Sequence, residues 1–211
     1  MLIFKSNTLA YLILCLAFAI INYLSSTLIS DDLYYNSLGE QFTYAKIDEI
    51  LDQKDKWAWI GYVLIPVIYL IKFTLITFCL NVGILLSGYK VSFKKLFQIT
   101  MYAEAIFLLP AIIKLLWFAF IQTDYTLEEL QYFYPLSMLN LFEVGKLEAW
   151  WVYSFQVINV FEFGYLLLLA YGIGKQLDKS LNDALGFVLS TYGVGLLLWV
   201  VFITFLVVNL G

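Results

Sequence analysis

Residues 57–86 read WAWIGYVLIPVIYLIKFTLITFCLNVGILL, thirty positions with a single charge, Lys72. A hydrocarbon core about 30 Å thick is crossed by about 20 helical residues. This stretch is therefore long enough to span a bilayer. Four more stretches share its character: residues 8–29 and 184–208 without any charge, 99–121 with Glu104 and Lys114, and 150–171 with Glu162. The whole chain of 211 residues is 63% hydrophobic and 13% charged. Soluble domains carry about 45–50% apolar and about 25% charged residues. Strands of a membrane β-barrel would show short alternating segments instead of runs this long. The expected fold is all-α: a polytopic helical bundle forming a single membrane domain over 1–211. Its five transmembrane helices are 8–29, 57–86, 99–121, 150–171 and 184–208, with outer loops at 30–56 and 122–149.

Composition also limits the chemistry. The chain has no His, and all 12 of its cationic side chains are Lys. Imidazole metal ligands, a His general base and guanidinium recognition of phosphate are all absent. A membrane serine protease needs a Ser–His pair. A membrane aspartyl protease needs two intramembrane aspartates, and every Asp here lies in a loop. No Gly-rich phosphate loop is present. Cys15 and Cys79 sit within apolar runs and read as small hydrophobes. A net charge of −4 gives no basis for nucleic-acid binding. No enzyme activity, cofactor or metal is expected.

The loops suggest an orientation. Loop 30–56 carries Asp31, Asp32, Glu40, Asp48, Glu49, Asp52 and Asp55 against three lysines, and loop 122–149 carries five acids against Lys146. The turns at 87–98 and 172–183 are short, with Lys90, Lys94, Lys95, Lys175 and Lys179. Lysines favour the cytoplasmic side, so the expectation is N-terminus inside and C-terminus outside, as a multi-pass protein of a cell inner membrane. The six tryptophans then fall in the outer halves of their helices, where indole meets the headgroup boundary. Lys5 and Ala17-Phe18-Ala19 have the form of a signal peptide, but the apolar run continues to Ile29, so a retained helix is expected.

In the outer loops, Ala45, Ile47, Ile50 and Leu51 share a helical face, and Thr126 with Glu129 forms a capping-box pattern. Residues 130–142 are uncharged but too short to cross, so they are expected to lie on the interface or to re-enter the membrane, either as a plain loop or as a lid. Gly83 with Ser87, and Gly186 with Ser190, have the spacing of close helix packing.

An ionisable side chain at mid-membrane costs about 2.5–3.5 kcal/mol on insertion scales, so it is paired or functional. By distance from the span ends, Lys72 and Lys114 lie roughly 21–22 Å from the inner edge, Glu162 about 15 Å and Glu104 about 7 Å. Glu162 is expected to face Lys72, Lys114 or both, and Glu104 to reach inner headgroups. Glu162 shares a polar arc with Gln156 and Asn159. The cluster Lys72, Glu104, Lys114, Asn159 and Glu162 either fixes helix register or lines a polar path.

The segment Leu85-Leu86-Ser87-Gly88-Tyr89-Lys90-Val91-Ser92-Phe93-Lys94-Lys95-Leu96-Phe97, followed by Tyr102-Ala103 and Pro110, resembles the bacterial branch of the Yip (Ypt-interacting) family of five-helix membrane proteins. The resemblance covers about 30 residues, with Pro110 late and Glu104 interrupting the pattern. A looser echo runs from Gly174-Lys175 to Tyr192-Gly193. The resemblance implies a non-enzymatic adaptor, as eukaryotic relatives bind small GTPases and organise membranes. Lys90, Lys94, Lys95, Lys175 and Lys179 would then contact membrane lipids or a protein partner, or serve topology alone. The alternative is a small transporter or channel subunit, as a homo-oligomer, using Glu162, Lys72 and Lys114.

Overall fold

The computed structural model describes residues 7–210; Lys5 lies outside them. The described chain is predominantly helical, with no strand among the described residues, and four helices are long and apolar enough to cross a membrane: Asn7–Ser26, Tyr44–Leu86, Phe93–Ile121 and Leu181–Leu210. The elements are α1 (Asn7–Ser26), α2 (Asp31–Leu38), α3 (Tyr44–Leu86), α4 (Phe93–Glu104), α5 (Leu108–Leu116), α6 (Leu127–Tyr132), α7 (Ala149–Val157), α8 (Val160–Leu177), α9 (Leu181–Val188) and α10 (Val194–Leu210). Side chains such as Leu197, Leu198, Val201 and Phe205 are exposed along α10. A helix that is apolar all round and exposed is built for lipid contact.

The stretch 150–171 departs from the expected single helix. It is split into α7, of 9 residues, and α8, of 18. Between them Ile158 leaves the helical region at φ −78° and ψ 89°, and Asn159 is extended. Val157, Ile158 and Val160 are β-branched and lose side-chain freedom in a helix. The backbone groups released by the break are taken by the loop that precedes α7. Met138 donates its N–H to the Ile158 carbonyl at 2.8 Å, and Val160 donates to the Leu136 carbonyl at 3.2 Å. Residues 136–138 thus fold back onto the helix break.

The chain forms two compact units. The first comprises residues 7–69 and 110–133 of the described chain. Here α3 begins at Tyr44, so its 43 residues extend well beyond a membrane thickness. Ile47 and Leu51 of its first turns are buried. The Tyr11 hydroxyl donates to the Pro66 carbonyl, and Phe18 stacks on Tyr69 at 4.5 Å. The capping box forms as its pattern indicates: Glu129 N–H donates to Thr126 Oγ1 at 3.1 Å, and Thr126 N–H to Glu129 Oε2 at 2.8 Å. The Tyr35 hydroxyl donates to Asp48, and this bond holds its pKa above the ordinary tyrosine value.

The second unit comprises residues 70–109 and 134–210 of the described chain. Its core gathers Ile76, Leu80 and Ile84 of α3, Leu96 and Ala103 of α4, and Tyr165, Leu169 and Ile173 of α8 with Val188 of α9. Glycine allows the closest approaches. A Cβ on Gly83 would lie 2.1 Å from Thr191 Cγ2, one on Gly164 2.4 Å from Ile106 Cδ1, and one on Gly195 2.7 Å from Cys79 Sγ. Gly83 therefore packs as its spacing suggests. Gly186 does not, because nothing lies within 4 Å of its Cβ position. The reason is rotational: Ala184 and Val188 carry the buried face of α9, while Gly186 faces away.

Candidate functional site

Two regions of the second unit collect the polar side chains singled out by the sequence. The first lies among α3, α4 and α8. Pro110 has no N–H to give to the Ile106 carbonyl. One turn before it, residues Ala105–Phe107 tighten to a 3₁₀ turn, which ends α4 at Glu104. Glu104 is 0% exposed and accepts a hydrogen bond from Lys72 Nζ at 2.5 Å. The Lys72 ammonium also lies 4.7 Å from the centroid of Phe107. Glu104 is therefore sealed inside the protein instead of reaching outward, and the direct salt bridge to Lys72 is its own. Glu162 faces the Lys72 charge without forming a direct salt bridge to it. The helix that carries Glu104 starts at Phe93, so this residue lies about 16 Å along α4.

Glu162 lies in the first turn of α8 and is half-buried. Tyr192 donates its hydroxyl to Glu162 Oε1 at 2.6 Å. Tyr192 belongs to a π-helical segment, Leu189–Gly193, between α9 and α10. Such segments often mark functional sites. Asn159 holds both sides of the helix break. Its Oδ1 accepts from the Glu162 N–H at 2.8 Å, capping α8. Its Nδ2 donates to the Gln156 and Val157 carbonyls at 2.8 and 3.1 Å, closing α7. Tyr165 fills the space beside them, with its ring 5.2 Å from Phe107 and 5.4 Å from Tyr192. It is fully buried. Tyr165 and Tyr192 escaped the sequence reading, since tyrosines are common in this chain and nothing in their spacing marks them. Lys114 belongs to the first unit, in α5.

The second region is the basic end of the same unit. The turns after α3 and α8 share one geometry. Gly88 has φ +72° and Asp178 φ +53°, and in each turn the following N–H reaches back five residues: Tyr89 to the Ile84 carbonyl and Lys179 to the Gly174 carbonyl, both at 3.0 Å. This is the Schellman closure of a helix. Ser180 then caps α9 by accepting from the Asp183 N–H at 3.2 Å. Lys179 Nζ sits 5.0 Å from the Tyr89 ring centroid, tying the two turns together. Its hydrogen bond with the Tyr89 hydroxyl raises its pKa, so Lys179 remains charged at neutral pH. Lys175 lies 4.4 Å from the Tyr171 ring centroid. Lys90, Lys94, Lys95 and Lys175 are exposed. Beside Tyr171 runs an apolar groove of about 220 Å³ between α4 and α8, lined by Ile99, Tyr102, Ala103, Leu168, Tyr171 and Gly172.

The left-handed residues give opposite expectations. Gly88 has open space around its Cβ position, so its substitution meets backbone strain alone. Gly88→Ala should destabilise by about 1 kcal/mol, and Asp178→Gly should stabilise by a similar amount. Thermal unfolding in detergent reads both; equal signs would contradict the turn geometry.

No protein-family model, curated protein or solved structure matches this chain.

Proposed function

We propose that the chain is a Yip-like, non-enzymatic, membrane-organising adaptor of a cell inner membrane. It crosses five times, with the N-terminus cytoplasmic, the C-terminus outside, and α7–α8 as a discontinuous fourth crossing. Its basic end gathers anionic phospholipid. The observation that carries this reading is the Tyr89–Lys179 contact, which joins two turns far apart in sequence into one lysine cluster. A headgroup phosphate would meet Lys90, Lys94, Lys95, Lys175 and Lys179. An acyl chain would lie along the groove beside Tyr171. Clustered lysines at a membrane surface contribute about 1 kcal/mol each toward anionic lipid.

Native mass spectrometry from mixed-lipid nanodiscs tests it. Lys175→Gln with Lys179→Gln should lower retention of anionic lipid relative to zwitterionic lipid by about thirtyfold, from about 2 kcal/mol. The loss should shrink as ionic strength rises. Unchanged lipid selectivity in the double variant would sink the reading.

A second reading is a small transporter or channel subunit. It is favoured by the break in α7–α8, since irregular backbone at membrane depth occurs where it is buried in protein or lines a polar path.

A further inference from the structure

We propose that Glu104, Glu162 and the Tyr165 hydroxyl form a site for one exchangeable monovalent cation, beside the fixed charge of Lys72. The site is separate from the lipid-binding end and stands whether or not that reading holds.

The charges of the cluster do not balance. Within this cluster two carboxylates face one lysine: Lys72 from α3, Glu104 from α4 and Glu162 from α8. The other titratable groups facing them are Tyr153 of α7, Tyr165 of α8 and Tyr192 of the π segment, all neutral as phenols. Full ionisation leaves one net negative charge in an apolar interior, which is costly. Lys72 is committed to Glu104. Glu162 instead holds a neutral hydroxyl, which stabilises a carboxylate without cancelling its charge.

Two buried oxygens point the same way independently of charge. Glu104 Oε2 and Tyr165 Oη are both sealed from solvent and have no hydrogen-bond partner among the described residues. Buried polar atoms in native folds are nearly always satisfied, so each such exception calls for a physical reason, a bound water or ion among them. The Tyr165 hydroxyl lies in the field of both carboxylates. Two orphaned oxygens thus lie in one electrostatically coupled cluster with a second carboxylate, where the single lysine leaves one positive charge missing. The site is not sealed on every side: the Lys72 side chain is 42% exposed, while that of Glu104 is 1% exposed.

The cation is either a proton or an alkali ion. A proton would form an O–H bond on the Glu162 carboxylate, and Tyr192 would go on donating to the other oxygen. An alkali ion would bind the oxygens directly and form no covalent bond. Either one neutralises the cluster.

Infrared titration of the full chain in nanodiscs distinguishes them, with choline chloride or sodium chloride as the medium. In choline at neutral pH, the wild type should show one protonated carboxyl per chain. Glu162→Gln should lose that signal while staying folded, because the amide oxygen still accepts from Tyr192. If sodium also binds, the titration midpoint should fall by about one pH unit per tenfold increase in sodium, through competition for one site. If sodium leaves the midpoint unchanged, the site takes a proton only. Glu162→Asp keeps a carboxyl and should retain the signal at a shifted midpoint. Two carboxylates ionised at neutral pH in choline, with no response to sodium, would overturn the site. So would a protonated-carboxyl signal that persists unchanged in Glu162→Gln.

Discussion

Lys72→Met should destabilise the protein by about 3 kcal/mol or more, and Glu104→Gln by only about 1 kcal/mol. The asymmetry follows from exposure. Glu104 is fully buried, with its second oxygen already unpartnered. Removing the lysine leaves an uncompensated charge in an apolar interior, the situation in which breaking a buried pair costs about 3–5 kcal/mol. Removing the carboxylate leaves Lys72, whose flexible stem and partial exposure let the ammonium move toward a polar boundary. The double variant Lys72→Met/Glu104→Gln removes both charges and should recover most of the loss, since an apolar replacement of a buried pair is often close to neutral. Denaturation of the four proteins in mixed micelles closes the cycle. If Lys72→Met proved as mild as Glu104→Gln, the ion pair would not be the element holding α3 to α4.

The long apolar runs made the helical membrane class legible at once, because a bilayer imposes its thickness on sequence in a way few other environments do. They also made the intramembrane charges conspicuous. Which charges pair was less legible. Apolarity begins at residue 99, whereas α4 starts six residues earlier, at Phe93, among lysines that a helix accommodates without difficulty. The partner of Lys72 follows from how α3 and α4 pack, which hydropathy does not encode. The glycine pattern was legible in part: four-residue spacing marks a small-residue stripe but not whether the stripe faces a neighbour, so Gly83 packs and Gly186 does not. The break at 158–159 was hidden by its own apolarity, since hydropathy is blind to secondary structure within a hydrophobic run. A signal was nevertheless there. Asn159 followed three residues later by Glu162 is a helix-start pattern, and it falls just after β-branched Val157 and Ile158. Read as an arc of one helix, the same spacing pointed to a polar face instead.

That ambiguity sets up the other large effect, and it can be decided by the sign of a single substitution. If 150–171 were one continuous helix, Asn159→Ala would replace a modest helix former with the best one and would be neutral or stabilising. In the observed fold it should cost about 3 kcal/mol. The Asn159 oxygen caps α8 through the Glu162 N–H, and losing an N-cap costs about 0.5–2 kcal/mol. Its amide group also satisfies the Gln156 and Val157 carbonyls, and an orphaned buried acceptor costs about 1–3 kcal/mol. Asn159→Ser separates the two contributions. The serine hydroxyl can still cap α8 but is too short to serve the carbonyls of α7, so it should recover about 1 kcal/mol. The expected order of thermal stability in detergent is wild type, then Ser, then Ala. Amide exchange should rise in Asn159→Ala at Met138 and Val160, whose N–H groups bridge the loop to the break. An alanine variant as stable as the wild type would mean that the helix runs through residue 159, and that the loop at 136–138 pairs with nothing there.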